Sequence, residues 1–315
     1  MNISRILDAY LDSFPHLSGA RRKNMKGAIA RWGKVGLPDD TDHWSDATFG
    51  RFRDECLKSD LSEYTIESSV GVMKTLLIFA GPRTAITPRA KGWITDPPFT
   101  GRRLTLPRRV KEAWTLNALS EVYRVAGNAD RPVAKMPPAV FWRSILVAAY
   151  NTGLRLSDLL SMQWAGYNPR ERRLIVRMKK TGHDMDLPVN AVLGAHLDAM
   201  PRVDVRVFPY SIATAHHLRT ELYELCRIVD VPCLGFHAMR RLAGQQFDLI
   251  EMGLGAMLLG HSHTVTSVSY VPTSIHLRPA SDAIPQPEAF VVGMQRILSG
   301  RWMDEMDRDT PSMIS

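Results

Sequence analysis

The segment from residue 83 to residue 111 limits what this chain can fold into more than any other part of it. It contains Pro88, Gly92, Pro97, Pro98, Gly101 and Pro107, with Pro82 just ahead. Each proline removes a backbone N–H, fixes φ and pushes the residue before it out of the helical region. No regular helix or central strand can cross such a stretch, so it reads as an extended linker. The chain is therefore expected to form an N-terminal domain over 1–82, a linker over 83–111 and a second domain over 112–315. At 315 residues it is long enough for two buried cores.

The linker also holds nearly all of the excess charge. Residues 1–82 carry 11 Lys/Arg and 11 Asp/Glu, and residues 112–315 carry 21 against 20. Within 83–111, Arg83, Arg89, Lys91, Arg102, Arg103, Arg108, Arg109 and Lys111 face Asp96 alone, which accounts for +7 of the net +8. A soluble tether needs no such one-sided charge, whereas a polyanion would be gripped by it. A nucleic acid such as DNA is the expected partner, with Arg102, Arg103, Arg108 and Arg109 as candidate contacts. The apolar fraction of 45% is ordinary for a soluble protein, and no apolar run approaches the ~20 residues of a membrane span. The start of the chain, Met1-Asn2-Ile3-Ser4-Arg5, leads into an amphipathic pattern and not a signal peptide. Cys56, Cys226 and Cys233 have no metal-ligand spacing and cannot pair evenly. Together these place the protein in a reducing cytoplasm, associated with the nucleoid and with no membrane partner.

Hydrophobic spacing is helical through the first domain. Ile3, Ile6, Leu7, Tyr10, Leu11 and Phe14 form one face, and Ser18 can cap a second helix containing Met25, Ala28, Ile29 and Trp32. A third helix is expected near Asp46–Leu57 and a fourth over about Ser62–Ala80, together a four-helix bundle. Arg21, Arg22, Lys23 and Lys26 either touch phosphate or form a solvated surface. In the second domain, Thr115 or Asn117 opens a helix, and Val140–Tyr150 reads as a central apolar one. Leu174–Met178 and Met185–Val189 read as strands joined by Lys179-Lys180-Thr181-Gly182-His183, a hairpin turn with glycine where positive φ is needed. Helices are expected again over about Ile212–Ile228 and His237–Ile250. Near the end, Phe290, Val291, Met294, Ile297 and Leu298 form an apolar helix face that packs either on its own domain or on a neighbouring copy.

The chemistry lies in an ordered set of residues. Thr152-Gly153-Leu154-Arg155 is followed by Asp158, then Lys180, then His237-Ala238-Met239-Arg240, then Leu259-Gly260-His261-Ser262, and Tyr270 nine residues after His261. Arginine forks grip phosphate oxygens, ammonium and imidazole groups move protons, and a phenol can attack phosphorus. Taken singly, each has an ordinary structural reading, and Lys179 competes with Lys180. The order and the spacing are what distinguish the set.

These motifs resemble those of the tyrosine recombinases, or phage integrases, and the resemblance covers the whole chain. It implies a mainly α fold with a small β-sheet: a two-domain C-shaped clamp with a helical core-binding, SAM-like bundle and a catalytic domain. It implies site-specific DNA recombination in which Arg155 and Arg240 clamp the scissile phosphate. Tyr270 attacks to give a 3′-phosphotyrosine, Lys180 protonates the leaving 5′-oxygen, and His237 and His261 hydrogen-bond the phosphate. Asp158 matches a supporting acidic position. No cofactor or divalent metal is implied, and the working state is a tetramer on two DNA duplexes. A type IB topoisomerase or a hairpin-forming resolvase would share this chemistry. A regulator that binds DNA without cutting would be expected to lose Tyr270 or an arginine. Two departures stand out: Arg241 follows Arg240 where the family often has histidine, and the stretch around Met252-Gly253-Leu254-Gly255 looks about two residues short.

Overall fold

In the first unit, four helices form because each has a cap and a buried face. The structure, a computed structural model, describes residues 1–95, 106, 112–131, 133, 136–210, 215–260 and 272–302. The chain divides into two units, Met1–Val110 and Lys111–Ser315. The first contains α1 (Ile3–Ser13), α2 (Gly19–Lys34), α3 (Asp46–Lys58) and α4 (Glu63–Ala80). Side chains of Asn2, Ser18, Ser45 and Ser62 accept from first-turn N–H groups at the four N-termini. Trp32 anchors the core, its ring centroid 4.3 Å from Trp44, 5.3 Å from Phe49 and 5.1 Å from Phe52.

Two expectations for this unit need correction. Arg22 is not free for phosphate, because it donates to the carbonyls of Leu11, Phe14, Pro15 and Leu17 and so satisfies the end of α1. The start of the expected linker is not extended either. Residues 81–95 turn back on α4, with the N–H of Lys91 bonded to Phe79 O and those of Trp93 and Ile94 bonded to Ala80 O. These bonds satisfy carbonyls that α4 leaves open, and Ala90 and Ile94 are buried beneath the turn.

The second unit is built around α6 (Pro138–Thr152), whose residues from Ala139 to Thr152 are all buried. Around it lie α5 (Leu116–Val125), α7 (Leu156–Leu159), α8 (Ala191–Asp198), α9 (Ala215–Ile228), α10 (Gly235–Ile250), α11 (Leu254–Leu258), α12 (Thr273–Ala283) and α13 (Glu288–Leu298). An antiparallel sheet in the order β1 (Tyr167–Asn168), β2 (Arg173–Arg177), β3 (Asp184–Pro188) lies between α7 and α8 in sequence. Register pairs Leu174 with Leu187 and Val176 with Met185, so buried residues alternate along β2. Helix α13 packs on its own unit: Phe290 is fully buried, with its ring 5.0 Å from Tyr123.

Candidate active site

Helix α6 ends at Thr152, and Gly153, at φ +59°, turns the chain out of it. A Cβ there would lie 2.9 Å from a methyl of Leu259, so both backbone conformation and space select glycine. Two residues later Arg155 takes extended backbone at the start of α7, which sets its guanidinium beside Asp158 with Nη1 3.7 Å from Oδ2. Asp158 is fully buried, and its Oδ1 accepts from the N–H of Lys179 at 2.9 Å. A buried carboxylate requires such partners. This one fastens the turn carrying Arg155 to the root of the β2–β3 hairpin.

The hairpin itself closes through Met178 N–H to His183 O and Gly182 N–H to Met178 O, both 2.8 Å, with Gly182 at φ +73°. Lys180 stands exposed at the tip beside Lys179, which is also exposed.

Arg240 lies in the second turn of α10 and is 97% withdrawn from solvent, at 3% exposure. Its guanidinium donates to Gly153 O and to Leu259 O, each at 2.6 Å. One side chain therefore joins the end of α6 to the residue before Gly260 and His261. Burial first, and the charge of Arg155 second, push its pKa down to about 10 against the pull of Asp158. It stays cationic at neutral pH. His237 is exposed in the first turn of the same helix, where the helix dipole favours anions.

Small residues make this arrangement fit. A Cβ on Gly244 would lie 2.9 Å from Leu259, and one on Gly255 would lie 2.2 Å from Gly244 O, so α11 rests directly on α10. The short connection between them is held by Asp248, whose Oδ1 accepts from Gly253 N–H at 3.0 Å and Gly255 N–H at 2.9 Å. Sequence reasoning missed Asp248, although an Asp followed by paired glycines is a turn signal. Arg241 donates to Glu112 O, at 3.1 Å from Nε, and Trp114 Nε1 donates to Gly235 O at 3.0 Å. The first residues of the second unit are thus braced against α10.

Arg155, Asp158, Lys180, His237 and Arg240 all belong to this second unit. His261 and Tyr270 lie outside the described residues, as do Arg102, Arg103, Arg108 and Arg109. Among the described residues there is no group of three or more His, Cys, Asp or Glu that could hold a metal ion, and no helix long and apolar enough to cross a membrane.

No protein-family model and no curated protein matches the sequence. Solved structures do match. A lambda integrase dimer bound to a COC′ core site superposes with a TM-score of 0.63 at 17% identity, covering 86% of this chain and 99% of that one. A Tn1549 transposon integrase in complex with transposon right end DNA gives a TM-score of 0.65 at 14% identity, covering 95% of this chain and 100% of the other. A lambda integrase tetramer bound to a Holliday junction gives 0.63 at 17%, with 84% and 79% covered. The mainly helical architecture with its small antiparallel sheet is shared along most of each chain, and this protein has the tyrosine recombinase fold.

Proposed function

We propose that this protein is a site-specific DNA recombinase that cuts and rejoins strands through a 3′-phosphotyrosine formed on Tyr270. The observation that carries the reading is a charge imbalance. Arg155 and Arg240 lie close enough for their charges to repel, and among the described residues of the second unit Asp158 is the one buried carboxylate. Two guanidiniums and one carboxylate leave net positive charge in a partly desolvated site, a cost that an incoming phosphate removes.

In this reading, Arg155 and Arg240 hold the non-bridging oxygens and stabilise the charge of the five-coordinate transition state. Tyr270 attacks phosphorus as its phenolic proton leaves, and the bond to the 5′-oxygen breaks. Lys180, reaching from the hairpin tip, donates the proton that makes this a 5′-hydroxyl. His237 and His261 hydrogen-bond the phosphate and assist proton movement. Rejoining reverses these steps with a 5′-hydroxyl from another strand, and the retained phosphodiester energy makes a nucleotide cofactor unnecessary. Arginines supply the charge that a metal supplies elsewhere. The linker arginines 102, 103, 108 and 109 grip the DNA backbone, and four copies hold two duplexes, in the cytoplasm where the DNA lies.

Covalent capture tests this directly. The protein is incubated with a randomised duplex library, nicked so that cleavage releases a short fragment, in the presence of a metal chelator, and resolved under denaturing conditions. We expect a protein–DNA species that survives denaturant and disappears in Tyr270→Phe, which keeps the ring but loses the attacking oxygen. Binding without any denaturant-resistant species would instead identify a non-cutting DNA-binding protein.

A further inference from the structure

Helix α12 begins at Thr273, three residues after Tyr270, and its N-terminus lacks a cap of its own: the preceding residue is Pro272, which offers no side-chain acceptor. The acceptor comes from the sheet. Asp186 on β3 takes the Ser274 hydroxyl at 2.9 Å and the Ser274 N–H at 3.4 Å, both on Oδ2. A carboxylate here is also favoured by the positive end of the helix. Asp186 is held in turn by Arg173 of β2, from Nε at 2.7 Å and Nη2 at 3.3 Å. Register pairs Asp186 with Ile175, so Arg173 is its diagonal neighbour on the same face of the hairpin. Ser274 is fully buried, and the Asp186 side chain is 18% exposed. Two further contacts run along the same edge: Arg278 donates to Arg172 O at 3.4 Å, and Arg172 pairs with Asp282.

We propose that Asp186 is a positioning residue for the nucleophile, which rests on the reading of Tyr270 given above. The strands it belongs to carry Lys180 at their tip, so one carboxylate sets the helix after Tyr270 against the hairpin of the general acid. Ser274 is four steps along the chain from Tyr270, a tether of at most about 14 Å at the chain's maximum rise per residue. Fixing Ser274 therefore limits where the phenol can lie relative to the phosphate. The helix does not depend on Asp186 to stay docked, because Leu277 and Ala280 are buried below it. Losing the cap shifts the first turn of α12 and leaves the fold standing.

A displacement of about 1 Å at a reacting group can cost on the order of 100-fold in rate. Single-turnover cleavage of the captured duplex is measured for wild type, Asp186→Ala, Asp186→Asn and Ser274→Ala. Each is assayed on ordinary DNA and on DNA whose bridging 5′-oxygen is replaced by sulfur, alongside Lys180→Ala, duplex binding and thermal unfolding. A thiolate leaves without a proton, so sulfur bypasses the acid but not the nucleophile. Asp186→Ala and Ser274→Ala are expected to bind within about twofold of wild type and to cleave roughly 10–100-fold more slowly on both substrates. Asp186→Asn, which keeps an acceptor for Ser274, falls between, and Lys180→Ala alone recovers on sulfur. Wild-type rates in Asp186→Ala and Ser274→Ala would overturn the proposal, as would sulfur rescue of Asp186→Ala, which would place its effect on Lys180. If Asp186→Ala fails to fold, Ser274→Ala decides the matter in the same way. Absence of adduct from wild type would instead overturn the reading of Tyr270.

Discussion

His196 sits fully buried in the second unit. Its Nδ1 lies 2.8 Å from Val192 O and its Nε2 2.6 Å from the Tyr123 hydroxyl. The carbonyl can only accept, so Nδ1 carries the proton and Nε2 accepts from Tyr123. Burial, followed by the nearby charge of Arg143, pushes its pKa down to about 4 from 6.5, against the pull of the Val192 carbonyl. The unfolded chain therefore binds a proton near pH 6.5 that the folded chain refuses until about pH 4. Between these values stability falls as pH falls, and above about 6.5 this residue contributes no slope. From pH 7.5 to pH 5 the loss from His196 is about 2 kcal/mol. Urea unfolding of wild type and His196→Gln at both pH values checks this: the wild type is expected to lose about 2 kcal/mol more than the variant. Equal losses would mean that His196 is protonated in the folded state.

At the scale of single elements, α13 explains how the last described helix completes the second unit. Phe290 is buried between Tyr123 and Tyr150, with ring centroids 5.0 Å and 6.1 Å away. Gly293 gives the Tyr123 hydroxyl room that any Cβ would occupy. Phe290→Ala should cost about 3–5 kcal/mol, the usual range for emptying a buried aromatic site. Because the contacts lie within one chain, the thermal midpoint should also be the same across a hundredfold dilution. A midpoint that falls on dilution would mean that α13 is shared between copies. The apolar spacing of this helix was readable in the sequence, but its docking partner was not, since Gly293 and Tyr123 are matched only in three dimensions. The β2–β3 hairpin was legible to within one residue because alternation and Gly182 act locally. Strand β1 was not, as two residues carry no period. Gly81 and Pro82 correctly marked where α4 stops, but residues 83–95 were misread because neither indicates that the chain then folds back on the helix.

Across the whole molecule, the candidate site draws on segments far apart in sequence, and this divides what could be read from what could not. Arg155, Lys180, His237 and Arg240 could be singled out as candidates because each stands in a short motif whose order along the chain is itself a signal. The contacts that hold them could not. Arg240 grips carbonyls of Gly153 and Leu259, which any residue could supply, and Asp158 reaches a backbone N–H of Lys179. Backbone partners leave no trace in residue type, and neither does the cap that Asp186 lends to α12. These bonds tie the end of α6, the hairpin, α10 and α12 into one frame around a site with more positive than negative charge. In the function we propose, this frame holds a DNA strand while its phosphodiester is exchanged for a bond to protein. The most direct measurement is to digest the covalently captured protein with protease and nuclease and identify the nucleotide-bearing peptide by mass spectrometry. The account predicts a single modified peptide containing Tyr270, linked through a 3′-phosphate. A nucleotide on Tyr210 or Tyr223, or a linkage through a 5′-phosphate, would contradict it.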